Sequence, residues 1–228
     1  MSPESWRQSK PADRIHAGRD GGGAGITAVA VIVALVVGMI GIFDSAAGAA
    51  PQVGQPAPDF TAVDSKGNPV HLNEYRGKTV VLEWTNADCP YTHKHYSSGN
   101  MQSVQALAQK NGIVWLTVVS SAPGKQGYVN GPAADALTQS HKAVPTAVLL
   151  DPSGQVARLY AAKTTPHMFV IDQDGTLRYM GGIDSIATTE EADIARAEPY
   201  LKDAMLAVAD GHPVAHPVTK PYGCSIKY

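Results

Sequence analysis

Apolar and polar positions alternate in a readable order along this chain. Asp59–Val63 and Pro69–Leu72 flank the turn-forming cluster Asp64–Asn68, a pattern that predicts a β-hairpin. Asn73–Lys78 forms a short turn into Thr79–Trp84, a β-rich run. The segment 90–96 is long enough for two helical turns, and Ser97–Asn100 is a poor helix interior that predicts a kink or restart. Met101, Val104, Leu107 and Ala108 then fall at helical spacing, and Gly112 ends that helix. Ile113–Val119 is unbroken apolar, as in a strand covered on both faces. Ser120–Gly131 reads as a long polar loop, Pro132–Lys142 as a helix, Thr146–Leu150 as a strand and Gln155–Ala162 as a short helix. Met168–Asp172 and Thr176–Met180 form a second hairpin about Gln173–Gly175, and an amphipathic helix is predicted over Thr189–Ala209. A tail, 211–228, follows.

Ahead of these elements lies a different pattern. Residues 1–23 carry Arg7, Lys10, Arg14 and Arg19, and Ala24 to Phe43 holds no charge. About 20 apolar residues span a bilayer as a helix, so 24–43 is a transmembrane anchor or a signal segment. Ala47-Gly48-Ala49 offers a small-x-small cleavage site. Basic residues before the span place the N-terminus in the cytoplasm and export the rest. The expected organisation is therefore 1–23 cytoplasmic, 24–43 membrane or signal, 44–52 linker, 53–210 folded domain and 211–228 tail.

The charge of −2, from 18 Lys+Arg against 20 Asp+Glu, leaves no electrostatic footprint for nucleic acid. The chain has two cysteines, Cys89 and Cys224, too few for a disulfide scaffold but enough for one pair. Cys89 precedes Pro90 at a predicted helix start. There, free N–H groups and the helix dipole stabilise a thiolate. His93 at i+4 lies on the same face, and a charged imidazole there would lower the thiol pKa. Glu83 is either a buried carboxyl able to act as a base or a surface glutamate at a strand edge.

The order of elements, with Val53–Phe60 and Thr165-Pro166-His167-Met168-Phe169-Val170-Ile171-Asp172 followed by Asp174-Gly175, resembles the thioredoxin-like superfamily. Within it, the chain is similar to the redoxin, or alkyl hydroperoxide reductase and thiol-specific antioxidant, branch. The resemblance covers about 53–210. It implies an α/β thioredoxin-like fold with an added N-terminal β-hairpin, preceded by the membrane or signal helix. It implies that Pro166 is cis and faces Cys89, and that Thr165 offers its backbone to a bound peptide. Candidate substrate-binding residues are thus Thr165, Pro166 and Tyr91. Candidate catalytic residues are Cys89, Cys224, Glu83, Thr92 and His93.

Two departures qualify the resemblance. Thr92 stands where Cys-x-x-Cys proteins carry the second thiol, and Leu82 and Asn86 stand where peroxiredoxins carry Pro and Thr. The resolving partner of Cys89 is then Cys224, another molecule, or absent. Envelope thiol–disulfide exchange is the expected activity, with a protein disulfide as substrate and a thiol reductant as partner. One alternative is thiol-dependent peroxidase activity on a peroxide. Another is a non-catalytic module that binds protein, or copper or zinc through Cys89, His93, His95, His212, His216 and Cys224. The leading reading requires no cofactor and no metal.

Overall fold

The computed structural model describes residues 50–228. The expected membrane or signal segment 24–43, and the cleavage site at Ala47–Ala49, lie outside the described residues. Among the described residues no helix is long and apolar enough to cross a membrane.

The chain runs β1 (Thr61–Asp64), β2 (Pro69–His71), β3 (Val80–Trp84), α1 (Pro90–Ser97), α2 (Asn100–Lys110), β4 (Val114–Val119), α3 (Gly131–Ser140) and β5 (Ala147–Leu150). It continues through α4 (Gln155–Leu159), β6 (Thr164–Thr165), β7 (His167–Ile171), β8 (Leu177–Gly181), α5 (Tyr200–Ala209) and β9 (Cys224–Ser225). Seven strands form one sheet in the order β2-β1-β5-β4-β3-β7-β8. β3–β4 and β4–β5 are parallel, and β7 runs antiparallel to β3. The expected hairpin forms with Ala62 opposite Val70, and β1 extends the sheet by pairing with β5.

β3 and β4 are buried at every position, as strands covered on both faces must be. The two-residue period of β3 divides the core. Leu82 and Trp84 pack on one face with Leu116, Phe169 and Tyr160, while Val81 packs on the other with Trp115, Met168, Met101 and Leu201. On the first face Trp84, Tyr160 and Phe169 meet at ring separations of 5.2–5.5 Å. The register Trp84↔His167 brings the ends of β3 and β7 together. The turn after β3 and the residues before β7 therefore share one end of the sheet.

One expectation is corrected. The helix expected over Thr189–Ala209 is split into a 3-10 turn at Glu191–Arg196 and α5. Pro199 disfavours helical backbone in the residue before it, and Ala197 is already extended (ψ 143°). The tail, 211–228, folds back onto the domain. Met180 N–H donates to Pro217 O (3.1 Å), Thr219 N–H donates to Met180 O (3.1 Å), and β9 pairs with β6. The kink between the first two helices is present at Gly99, whose φ of 78° favours a residue without Cβ.

Phe169 is fully buried between Trp84 and Tyr160. Phe169→Ala should lower the unfolding free energy by about 3–5 kcal/mol in urea titration. Val63→Thr, at a position 47% exposed, should stay within about 0.5 kcal/mol of the parent.

Candidate active site

Cys89 is the N-cap residue of α1, with Pro90 in the first helical turn. Asn86 builds the turn that delivers it. Its side-chain carbonyl accepts from Asp88 N–H (2.8 Å), and its backbone carbonyl accepts from Cys89 N–H (3.0 Å). The loop expected over Ser120–Gly131 clamps this turn from outside. Gly127 N–H donates to the Asp88 carboxylate (2.9 Å), and Gln126 Nε2 donates to Asp88 O (3.1 Å).

The Cys89 side chain is fully buried. As a thiol it donates to Thr165 O at 3.0 Å. The Thr165–Pro166 peptide is cis, as the resemblance implies. The remaining cover comes from the C-terminus. β9 pairs antiparallel with β6, Thr165 opposite Cys224, and Cys224 N–H points at the Cys89 sulfur at 3.4 Å. Both cysteines are free thiols in this structure.

The two thiols are electrostatically unequal. Burial pushes Cys89 up, but hydrogen bonds outweigh it and hold the thiol below its ordinary value. The largest of these comes from the Cys224 side chain; the Thr92 and Cys224 backbones and Thr165 supply the others. Burial and the neighbouring Cys89 push Cys224 up to about 11. Of the pair, Cys89 is held lower and Cys224 higher, so Cys89 ionises first.

The expected residues divide clearly. Cys89, Cys224, Thr165 and Pro166 are brought together. Thr92 is buried and contributes its backbone N–H to the sulfur rather than its hydroxyl, which has no hydrogen-bond partner. Tyr91 is half-buried and packs edge-on against Tyr222 of the tail at 5.9 Å. His93 is exposed and is not among the groups that lower Cys89, so the expected imidazole–thiolate pairing is absent.

Glu83 is fully buried, which rules out the surface alternative. Its carboxyl accepts from Tyr96 Oη (2.9 Å), Trp115 Nε1 (2.8 Å), Thr117 Oγ1 (3.0 Å) and Gln105 Nε2 (3.4 Å). None of these bonds goes to Cys89. The carboxyl instead ties α1 and α2 to the sheet.

The metal alternative loses its ligand set. His95 is buried 3.8 Å from Asp184, while His216 sits on the surface 2.9 Å from Glu198. Among the described residues no three His, Cys, Asp or Glu side chains converge as metal ligands.

Sequence reasoning missed a polar cluster beside the cysteine pair. Lys94 and His95 have fully buried side chains, 3.9 and 3.8 Å from the Asp184 carboxylate. Tyr222 Oη donates to that carboxylate and lies 3.2 Å from His95 Nε2. Burial holds His95 down to about 4, so its ring is neutral at physiological pH. Lys94 reads in sequence as a cation able to add field at Cys89 and His95 as a candidate metal ligand, and neither reading marks them as a buried cluster around Asp184.

The AhpC/TSA family profile matches residues 53–180, more than half of the chain. The chain belongs to the AhpC/TSA family. A relative from Geobacillus kaustophilus, thiol-disulfide oxidoreductase ResA, is 28% identical over 133 residues, 55% of this chain and 67% of the relative. A hypothetical protein from Sinorhizobium meliloti superposes with a TM-score of 0.65 at 22% identity, covering 79% of this chain and 96% of its own. An uncharacterized conserved protein from Geobacillus kaustophilus does so with a TM-score of 0.65 at 21% identity, covering 78% and 92%. At those identities the two structures speak for the thioredoxin-like fold alone. The AhpC/TSA match ends at residue 180, so the tail that reaches Cys89 lies beyond it.

Two outcomes follow from the site. Cys224→Ala removes the strongest hydrogen bond that lowers Cys89, so the Cys89 pKa should rise; a pH titration of thiolate ultraviolet absorbance checks this. The Glu83 pKa is raised from 4.5 by burial. As pH rises from 4.5 toward its folded value, the unfolded chain loses this proton while the folded chain keeps it. Stability therefore falls across that window. Glu83→Gln, which can accept from Trp115 and Thr117 while donating to Tyr96, should flatten that slope in urea titrations across pH.

Proposed function

We propose that this chain is an envelope thiol–disulfide oxidoreductase with Cys89 as nucleophile and Cys224 as resolving thiol. Membership of the AhpC/TSA family and the ResA relatives make it an oxidoreductase. The observation that carries the finer reading is the placement of Cys224 opposite Thr165, with its N–H on the Cys89 sulfur.

The Cys89 thiolate attacks one sulfur of a protein disulfide. A Cys89–substrate bond forms, and the other substrate sulfur leaves as a thiolate. Cys224, deprotonated by that leaving thiolate, attacks the Cys89 sulfur. The second substrate thiolate leaves and a Cys89–Cys224 disulfide remains. An external dithiol then supplies two electrons and two protons to restore the pair. Cys89 is the better leaving group because its pKa is the lower of the two. Thr165 and Pro166 shape the substrate face, and Tyr91 borders it. The loop 120–131 holds the cysteine turn rigid.

The rest of the organisation follows the same reading. Residues 24–43 anchor the protein or serve as its signal, residues 1–23 stay in the cytoplasm, 44–52 form the linker, and the domain faces the oxidising side. Peroxidase chemistry has weaker support. Asn86, where peroxiredoxins carry Thr, spends its side chain on Asp88 N–H and Gln126 O.

Insulin disulfide reduction with dithiothreitol as electron donor, run beside hydrogen peroxide consumption with the same donor, tests the reading. The wild type should accelerate insulin reduction and leave peroxide turnover at background, and Cys89→Ser should abolish the acceleration. Peroxide turnover without insulin reduction would reverse the assignment.

A further inference from the structure

The nucleophile is shut in. Cys89 is fully buried, and what closes it is the protein's own C-terminus. β9 holds the backbone of Thr164–Thr165 through antiparallel pairing. The same two-residue edge, beside the reactive sulfur, is the edge an incoming extended peptide needs. Tail and substrate compete for one slot.

The fit of the tail states what the slot accepts. Gly223 has φ 133°, and a Cβ there would lie 2.0 Å from Thr165 O. Any strand that follows this path and presents its cysteine to Cys89 must carry glycine at the preceding position. One residue earlier, Tyr222 packs on Tyr91 and plugs the Lys94–His95–Asp184 cluster through its hydroxyl. The Tyr222 hydroxyl is the tail's contact with this buried cluster, donating to Asp184 Oδ1 and lying 3.2 Å from His95 Nε2. Beyond the cysteine, Ile226 N–H donates to Lys163 O (3.2 Å) and Ala122 N–H donates to Lys227 O (2.8 Å), which closes the far end.

We propose that the tail is an internal stand-in for the substrate strand: the slot takes an extended segment of a partner protein with an aromatic residue and a glycine ahead of a disulfide-bonded cysteine, and Tyr222 latches the slot until that segment displaces the tail. This rests on the disulfide-exchange reading above and names its substrate class. The order of bond changes is unaltered. The partner segment enters, the Cys89–partner disulfide forms and the partner's other sulfur leaves as a thiolate. The returning tail then brings Cys224 onto Cys89 and expels the partner's thiolate from the slot it retakes. Resolution and product release become one event.

Two arms on the reduced full-length protein test this. In the first, Cys89 alkylation by iodoacetamide is followed by mass spectrometry of the Cys89 peptide. With the rate divided by the thiolate fraction from the absorbance titration of each variant, Tyr222→Ala and, separately, Gly223→Ala should each speed it by about tenfold or more. Unchanged rates in variants that keep the parental circular dichroism would overturn the latch. In the second arm, Cys224→Ser protein is mixed with a peptide copy of residues 220–227 carried as a glutathione mixed disulfide, or with its Gly→Ala version. The glycine peptide should form the Cys89 adduct about tenfold faster; equal rates would overturn the glycine requirement. Alkylation needs only a reachable thiol. Loss of the insulin activity with an intact alkylation response would therefore reject the exchange reading and leave the latch standing.

Discussion

The structure depends on one short stretch of backbone pairing, Thr164–Thr165 with Cys224–Ser225. Four residues carry it, and it places the C-terminal cysteine on the N-terminal one across 135 positions of sequence. So short a ladder is not held by its own hydrogen bonds, each of which contributes only about 1 kcal/mol net. It is held by what flanks it. Tyr222 is anchored to Asp184 on one side, and Lys227 accepts from Ala122 on the other. The glycine between Tyr222 and Cys224 is required because the two backbones approach too closely for a side chain.

That pairing also decides the electrostatics of the site. A buried thiol is ordinarily held neutral by its surroundings, yet Cys89 is lowered because a ring of donors from the helix start and the tail faces its sulfur. Burial raises Cys224, and the same proximity adds to it, because Cys224 donates to Cys89 and two thiolates side by side repel. The two thiols are thus distinguished by environment rather than by the Cys-x-x-Cys spacing, which Thr92 interrupts. His167, next to the cis proline, is held down to about 3 by burial and adds no charge to the pair.

Much of the fold was legible in sequence because its signals are local. The unbroken apolar runs of β3 and β4, the Asp64–Asn68 turn and the spacing of Met101, Val104 and Ala108 each predict an element from its neighbours alone. The helix expected over 189–209 failed because Pro199 outweighed a continuous amphipathic pattern. At the site, Cys89 and Pro166 were legible because a helix-start cysteine and a Thr-Pro element carry their chemistry with them. Glu83 was not, since its four donors come from α1, α2 and β4. The cluster of Lys94, His95, Asp184 and Tyr222 was missed for the same reason: its members come from α1, the segment after β8 and the tail, and meet only when the chain folds. His93 misled because sharing a helix face with Cys89 does not bring a ring to the sulfur.

The central claim is that Cys89 and Cys224 form one redox pair within a single chain. The most direct measurement is mass spectrometry of the full-length protein after mild oxidation and alkylation, with non-reducing peptide mapping. A Cys89–Cys224 linkage in the monomer, lost on reduction, is the predicted result. Two alkylated thiols, or Cys89 carried to sulfinic acid with Cys224 still free, would contradict it.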